Sequence, residues 1–374
     1  MKILKWISIS CLLLCCSGCW DQHIMKDIAL VTAIAYDQQQ NEKIQTTFFL
    51  PRVPNTNNGI SKPDTQVVSV LSNTPSEGKA KLDAKISGLL DTAKNRVLLI
   101  GESFAKKSLP ALLDSFYLDP KSNLRTPVVV VKGNAKQFMK QVKVKDELFS
   151  DYMYRILQSA KTNGLIEETN IQGILSKASH PKQDFVLPYM EVDTKQMKTN
   201  ITGLALFHNN RYTGQRLKKE QAKLYVLLQK QQVKNLQFTQ KIRISSHSPH
   251  KQYVTIQIKK RNKYMAILPK QKKIHVNIRC HLQVALVEKT VPTSKQSKEK
   301  IEKELSHLFT KQLRTVLQTL QKENCDSLGI RRELQVKHPQ LFQATNGKQQ
   351  YAPVKFSPTV HVQLVDKGLI QLSE

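Results

Sequence analysis

Acidic and aromatic residues are both scarce in this chain of 374 residues. Asp and Glu total 29 against 58 Lys and Arg, which gives a formal net charge of +29. Aromatic residues make up 6% of the chain, which disfavours the stacking platforms that bind single-stranded nucleic acid. The basic excess therefore favours an anionic membrane surface or an anionic polymer as partner, and not nucleic acid. A solvated basic surface without a specific partner is the alternative.

Cysteine is also rare. After the N-terminal segment, only Cys280 and Cys325 remain. Neither belongs to a Cys-x-x-Cys motif, so their spacing indicates no redox or zinc site. An exported compartment would permit a disulfide between them. Two isolated thiols, at least one of them buried, is the alternative that we favour.

Several catalytic motifs are missing as well. The chain has no Gly-x-Ser-x-Gly elbow, no His-Glu-x-x-His pair, no P-loop and no Gly-x-Gly-x-x-Gly fingerprint. His247 and His250 flank Pro249, which precludes a helical metal-binding pair and favours an exposed polar loop. His275 and His281 alternate with apolar residues of a predicted strand, so we expect them to face outward or to be satisfied within the fold.

The carboxylates Asp91, Glu102, Asp114 and Asp119 are scattered over separate predicted elements. Spacing alone therefore locates no acid–base pair. Gly101-Glu102-Ser103 follows a predicted buried strand and has two interpretations: an anion cradle at a helix start, or a tight turn, which we favour. The sequence predicts no catalytic residue, no metal site and no bound cofactor, and hence a binding or assembly protein and not an enzyme.

A short hydrophobic run is present at the N-terminus. Two lysines in Met1–Lys5 precede the apolar Trp6–Cys16, which is shorter than the about 20 residues that cross a bilayer. Ser17-Gly18-Cys19 then places small residues before a thiol, as at a bacterial lipoprotein cleavage site, although a cysteine stands where a leucine is usual three positions before the cut. We predict that residues 1–18 are a signal peptide and that Cys19 carries a diacylglyceryl group. A protein cut by another peptidase and an uncleaved anchor are the alternatives.

Hydrophobic patterns predict an α+β fold of several domains, with mixed sheets and packed helices. The expected domains are 19–195 and 196–374, and the proline-rich 51–75 stretch is either a linker between two subdomains of the first or a long loop. Alternating strands at 253–258 and 273–288 predict a largely antiparallel sheet in the C-terminal domain. One long helix is expected there over 294–324.

The N-terminal domain is predicted to open with a hairpin formed by 28–36 and 43–50. A helix is expected over 76–95, with Ser76 as a plausible cap. Its apolar face would consist of Leu82, Ile86, Leu89, Leu90 and Ala93. Buried strands are expected at 97–101 and 128–131.

Several stretches, taken in order, resemble the Ger(x)C family of spore germination lipoproteins. Each is a weak signal alone, and their order over nearly the whole mature chain is fairly specific. They are Ser17–Asp21, Asp27–Asp37, Val97–Ala105 with Leu112–Phe116, Val128–Gly133, Gly203–Phe207 with Gly214, Cys325–Ile330, and Gly368-Leu369. Ile330 departs from the family pattern, where a second glycine is common, and no aromatic residue directly follows Pro339.

The resemblance implies a lipoprotein on the outer face of the spore's inner membrane. It would be the C subunit of a nutrient germinant receptor and would assemble with two integral-membrane subunits, A and B. Germinant recognition is attributed chiefly to those subunits, so we do not expect this chain to bind the germinant directly. The family offers no catalytic residue to carry over.

Two other functions stay open on the sequence alone. A solute-binding lipoprotein would deliver a small molecule from a cleft between domains to a membrane transporter. A secreted hydrolase has no motif in its favour, and a close Ser/His/Asp or metal cluster would be needed to support it.

Overall fold

The computed structural model describes residues 28–52, 64–86, 88–107, 109–145, 147–178, 183–229, 235–243, 252–270, 273–290, 295–344 and 354–365. Within these ranges the chain has the predicted α+β architecture, with strands in three sheets. The sheets have two, eight and four strands.

The eight-stranded sheet forms the centre of the fold. Its order is β10-β9-β8-β7-β6-β2-β3-β4, and the neighbours from β2 to β8 are parallel while the others are antiparallel. The strands are β2 (Ala33–Gln38), β3 (Ile44–Arg52), β4 (Asp64–Ser72), β6 (Val97–Gly101), β7 (Val128–Val131), β8 (Val186–Asp193), β9 (Lys198–His208) and β10 (Arg211–Lys218). β6 and β7 are buried at every position, as expected for parallel strands covered on both faces.

Helices cover both faces of this sheet. One face packs against α4 (Ala135–Gln141) and α5 (Phe149–Thr162), and the other packs against α3 (Pro110–Tyr117) and α6 (Ile171–Ala178). The remaining helices of this part are α1 (Pro75–Asp83) and the single turn α2 (Glu102–Ala105). Asn134 caps α4 as its sequence suggests, since its side chain accepts a hydrogen bond from the Gln137 amide at 2.9 Å.

The C-terminal part is a four-stranded sheet under one long helix. The strands are β11 (Gln237–Ile242), β12 (Gln252–Lys270), β13 (Lys273–Lys289) and β14 (Val354–Leu364), and the helices are α7 (Lys219–Leu228), α8 (Lys295–Lys322), α9 (Ile330–Lys337) and α10 (Pro339–Ala344). β11, β12 and β13 pair antiparallel, as predicted, while β14 joins β13 in parallel. Apolar residues of α8 and of the inner sheet face share one core with α5 and α7.

Two basic side chains of β12 point inward and hold the end of α7. Arg261 donates to the carbonyls of Val226 and Leu227, at 2.9 and 2.5 Å. Lys263 donates to the carbonyl of Leu228 at 2.5 Å. Carbonyls in the last turn of a helix lack helical partners and carry partial negative charge. These contacts therefore tie α7 to the sheet.

The outer edge of β14 is covered by side chains of α8. The amides of Val360, Val362 and Leu364 alternate along the strand and point away from β13. They donate to Thr310 Oγ1, Ser306 Oγ and Glu302 Oε1 at 3.0, 2.9 and 2.7 Å. The donors are two residues apart and the acceptors four apart, so strand and helix run side by side. This contact satisfies an edge that would otherwise be open to pairing.

The predicted helix over 76–95 is wrong in its second half. α1 ends at Asp83, and Leu89–Asp91 form strand β5, which pairs in parallel with β1 (Ile28–Leu30) in the two-stranded sheet. Gly88 has a φ of +117°, which breaks the helix between them. The cap is Thr74 and not Ser76, because the Thr74 hydroxyl accepts from the Glu77 amide at 3.1 Å.

The predicted hairpin is confirmed for β2 and β3, which pair antiparallel. The predicted division at 195/196 falls in the turn between β8 and β9. Since these two strands pair within one sheet, that sheet runs through both predicted domains, and the division stays a prediction. Part of the 51–75 stretch, 53–63, lies outside the described residues, and β4 occupies 64–72 of the remainder.

Cys280 and Cys325 are both free and buried, which confirms the interpretation as isolated thiols. Burial raises the pKa of both thiols, so they remain protonated at neutral pH.

Within the described ranges, no helix is both long enough and apolar enough to cross a membrane.

Replacing Thr310 by valine should expose the role of the covered β14 edge. The Thr310→Val variant keeps the branched shape and removes the acceptor of the Val360 amide, so we expect the free energy of unfolding to fall by about 1–2 kcal/mol. Thr319→Val is the matched control on the same helix, because the Thr319 hydroxyl bonds only to the Thr315 carbonyl. Urea denaturation measures both variants, and an equal loss in the control would contradict the assignment.

Candidate functional site

The predicted lipidation site, Cys19, lies outside the described residues, which begin at Ile28. Its modification therefore stays a prediction. His247 and His250 also lie outside the described residues. The remaining candidates are polar clusters and a cleft within the fold.

The carboxyl ends of the parallel strands bring several charged side chains together. We call Asp37, Glu102, Tyr189, Glu191 and Arg216 the strand-end cluster. Open α/β sheets commonly bind ligands at such strand ends. Whether this cluster could bind one depends on whether its polar groups already have hydrogen-bond partners within the protein.

Asp37 already fills the anion position at the start of α4. Its Oδ1 accepts from the Ala135 amide at 2.6 Å, and its Oδ2 accepts from the Lys136 amide at 2.9 Å. Burial raises the pKa of Asp37, and these two hydrogen bonds oppose the rise. The buried side chain thus neutralises a helix start from within the protein.

Glu102 accepts two further hydrogen bonds in this cluster. Its Oε2 accepts from the Gly133 amide and its Oε1 from the Tyr189 hydroxyl, both at 2.8 Å. A Cβ atom at Gly101 would stand 2.1 Å from Asp37 Oδ1, so only glycine lets strand and carboxylate approach so closely. This contact favours turn and close packing over an anion cradle as the reason for Gly101-Glu102-Ser103.

Arg216 completes the strand-end cluster. Its guanidinium lies 4.5 Å from the centre of the Tyr189 ring and forms an ion pair with Glu191. Burial and the neighbouring Glu102 raise the pKa of Tyr189, so the phenol keeps the proton that it donates to Glu102. Each side chain of the cluster therefore has a protein partner, and the cluster joins β2, β8 and β10 with the single turn α2 that follows β6.

A second polar cluster is almost wholly buried. We call Asp184, Asp326 and Arg331, with His208 at its edge, the buried arginine cluster. The exposed fractions of Asp184, Asp326 and Arg331 are 5%, 0% and 5%. Arg331 donates from Nη2 to Asp184 Oδ2 at 2.7 Å and from Nε to Asp326 Oδ2 at 3.2 Å. One guanidinium thus faces two carboxylates.

Backbone amides also donate hydrogen bonds to both carboxylates. Asp326 accepts from the amides of Ile330 and Arg331 at 2.8 and 2.7 Å, and so satisfies the first two amides of α9. Asp184 accepts from the amides of Asp326 and Asn209 at 2.9 and 3.0 Å. Burial raises the pKa of Asp326, against the lowering effect of the bonds from Arg331 and Ile330. The cluster joins the start of β8, the turn after β9 and the start of α9.

The sequence identified one part of this cluster. Asp326 lies in the Cys325–Ile330 stretch, whereas Asp184, His208 and Arg331 were missed. The position of Asp184 directly before an apolar strand could have indicated a buried carboxylate. A buried carboxylate needs a hydrogen-bonding or cationic partner. The partner itself, 147 residues away, leaves no local pattern.

The carboxylates that the sequence offered as candidates do not converge. Glu102 belongs to the strand-end cluster, Asp119 pairs with Lys79 at 2.5 Å, and Asp91 bonds to the Ala93 amide. Among the described residues, no group of three or more His, Cys, Asp and Glu side chains could hold a metal ion. His281 is exposed on β13, as predicted, and stacks on His361 at 5.1 Å between ring centres.

An open cleft of about 650 Å³ lies between α5, β9 and β11. Its walls expose polar and apolar surface in equal measure, and the polar part includes Ser159, Asn163, Asn200 and Gln237. Lys223, which also lines it, is held by Glu220 at 2.9 Å and by the Gln237 carbonyl at 3.2 Å. The cleft is therefore wide enough and polar enough to admit a small polar molecule.

Comparison with known families matches both parts of the chain. The model described as "Spore germination protein N-terminal domain" matches residues 21–192, and "Spore germination B3/ GerAC like, C-terminal" matches residues 202–368. The boundary between the two matches falls at β8 and β9, close to the predicted division.

Individual proteins show the same likeness. "Spore germination protein GerQC" of Bacillus cereus is 24% identical over 371 residues, which cover 98% of this chain and 99% of that protein. "Spore germination protein KC" of Bacillus subtilis (strain 168) is 26% identical over 187 residues, 47% of this chain and 46% of that protein. The crystal structure of the GerBC protein has a TM-score of 0.59 at 12% identity and covers 89% of this chain and 97% of that one, which supports the fold.

Removal of the Arg331 charge should strongly destabilise the protein. Arg331→Met leaves Asp184 and Asp326 buried without their cation, so we expect the free energy of unfolding to fall by about 3–5 kcal/mol. Arg332→Met is the matched control, because Arg332 is exposed and contacts only Gln183 Oε1 at 3.4 Å. Urea denaturation at neutral pH compares them, and equal stability of the two variants would refute the role of the cluster.

Proposed function

The chain belongs to the Ger(x)C family of spore germination proteins, and from this membership we propose that it is the C subunit of a nutrient germinant receptor. It acts with two integral-membrane subunits, A and B, on the outer face of the spore's inner membrane. The observation that carries the proposal is the likeness to spore germination protein GerQC over 98% of this chain.

The proposed subunit is held on the membrane by a diacylglyceryl group, and hence palmitate or a similar acyl chain, on Cys19. Support comes from the basic start, the short apolar run and the small residues that precede Cys19. Two acyl chains suffice for stable anchoring, where one is marginal. The full chain has a net charge of +29, and the mature chain without Lys2 and Lys5 keeps +27. This charge adds attraction to anionic lipid, at about 1 kcal/mol for each basic residue near the surface.

The proposed role is assembly of the receptor or relay of its signal, without catalysis. Both polar clusters join distant parts of the chain, and their hydrogen-bonding groups are engaged with one another and with backbone amides. Polar groups that are engaged within the protein stabilise its structure. A rigid structure of this kind is suited to contact with other subunits.

Cys19→Ala should release the protein from the membrane and abolish the germination response to nutrients. The physical reason is the loss of both acyl chains, which leaves only the weaker attraction of basic residues. The measurements are fractionation of spore membranes and the loss of optical density that accompanies germination. Cys15→Ala is the control, since it alters a neighbouring thiol of the apolar run and leaves Cys19 intact. Retention of Cys19→Ala in the membrane with normal germination would contradict the proposal.

The alternative, a solute-binding lipoprotein, predicts that the chain binds a small molecule without other subunits. We expect isothermal titration calorimetry of the purified chain against amino acids, sugars and nucleosides to show no binding in the micromolar range. The open cleft beside α5 is the place to examine if heat is detected. Tight binding that is lost on substitution of Asn163 and Asn200, which line the cleft, would favour the alternative.

A further inference from the structure

The four-stranded sheet has one face under α8 and one face that no described helix covers. We call the uncovered part between Lys260 and Leu268 the outer sheet face. Side chains on a strand alternate between faces, and every second residue of β12, β13 and β14 points to this side. The members are Lys260, Asn262, Tyr264, Ala266, Leu268, His275, Asn277, Arg279, His281, Gln283, Lys355, Ser357, Thr359, His361 and Gln363.

The outer sheet face carries positive charge and no negative charge. Lys260, Arg279 and Lys355 are exposed, and none of its fifteen positions holds Asp or Glu. These three cations form no ion pair with any residue that the structure describes. Some basic side chains elsewhere in the described ranges pair with acids there, as Lys177 does with Glu167, and others, such as Lys94, do not. What marks this face is that its cations have no acid beside them on the same part of the sheet. The unpaired charges therefore make this face complementary to an anionic surface.

The basic residues are spread out and do not converge on a point. Register places Lys260 opposite Gln283 and Gln363, at one end of the face, and Lys355 opposite His275, at the other. Eight residues along a strand span about 26 Å, and adjacent strands lie about 4.8 Å apart. A depression of about 250 Å³, lined by Lys260, His281 and His361 among others, lies at one end of the face, and Arg279 and Lys355 stand outside it. Such a layout suits a flat surface whose anions can move beneath each charge.

Two large and exposed side chains of β12 also belong to this face. Tyr264 is 62% exposed and Leu268 is 40% exposed, and they lie four residues apart on the same side of β12. Tyrosine is enriched where protein meets the lipid headgroups, because its ring is apolar and its hydroxyl is polar. Tyr264 lies halfway along the face, opposite Arg279, and Leu268 lies near its end, opposite His275. Both side chains are therefore placed to contact a bilayer that lies on the face.

We propose that the outer sheet face lies on an anionic lipid bilayer and sets the orientation of the protein on the membrane. The inference rests on the proposed function, because a lipid anchor would keep this face close to headgroups. Lipid phosphates are favoured over an acidic protein because the three cations are dispersed along the sheet, whereas a specific protein partner usually meets a clustered, packed site.

Binding to vesicles tests the face directly. The chain from residue 19 onward with Cys19→Ser retains every residue that the structure describes and lacks the anchor. We expect it to bind vesicles of phosphatidylglycerol and phosphatidylcholine and not vesicles of phosphatidylcholine alone. The combined variant Lys260→Gln, Arg279→Gln and Lys355→Gln should weaken binding about 100-fold, at about five-fold for each charge.

A matched control separates this face from the general charge of the protein. Lys94→Gln, Arg125→Gln and Lys140→Gln remove the same charge from exposed positions with no ion pair among the described residues. At 0.1 M salt the Debye length is about 10 Å, so this variant should bind less than about three-fold more weakly. Equal losses in the two variants would overturn the assignment of the face. No binding by the parent chain would overturn it as well.

The anchored protein provides a second measurement. Cys280 and Cys325 are buried, so a cysteine at exposed Thr359 can be labelled with a fluorophore in the lipidated chain. We expect headgroup-quencher lipids to quench a label at Thr359→Cys and not one at Gln137→Cys on α4. The reverse pattern would overturn the inference. A face variant that binds vesicles normally but no longer co-purifies with membrane proteins would overturn it in favour of an acidic protein partner. In each case the germination test of Cys19→Ala judges the receptor role separately.

Discussion

The buried pairing of Arg331 with Asp184 and Asp326 is the constraint on which the arrangement of this protein depends. Burial of a guanidinium beside two carboxyl groups costs much solvation energy, and only mutual pairing with full hydrogen bonding offsets that cost. Both carboxylates receive backbone amides in addition to the guanidinium. The geometry therefore tolerates little change, and it fixes the turn after α8 against the start of β8.

This constraint makes the two family segments one structure. β8 comes from the first segment, while β9 and β10 come from the second, and all three belong to the eight-stranded sheet. The carbonyl of Leu217 lies 1.9 Å from where a Cβ at Gly203 would stand, so β9 and β10 approach closely at this glycine. Strand pairing and the buried arginine cluster both connect the segments, and motion of one against the other would have to break them.

The sequence predicted secondary structure best where the spacing of apolar residues matches the faces that are buried. The all-valine β7 and the alternating β13 were predicted because apolar spacing reports directly on which faces are buried. Leu89 and Leu90 misled the helix prediction, since their spacing fits a helix face while Gly88 and pairing with β1 place them in a strand. The buried arginine cluster could not be predicted, because Asp184 and Arg331 meet only through the folded sheet. The lipidation of Cys19 rests on the residue pattern at the N-terminus alone and stays a prediction.

A subunit that works beside two integral-membrane proteins should be recovered together with them. The decisive measurement is affinity purification of the tagged chain from spore inner membranes in mild detergent, followed by mass spectrometry. We expect two integral-membrane proteins in near-equal amounts with the chain. Recovery of the chain alone, or with the permease of a transporter, would contradict the proposed receptor role.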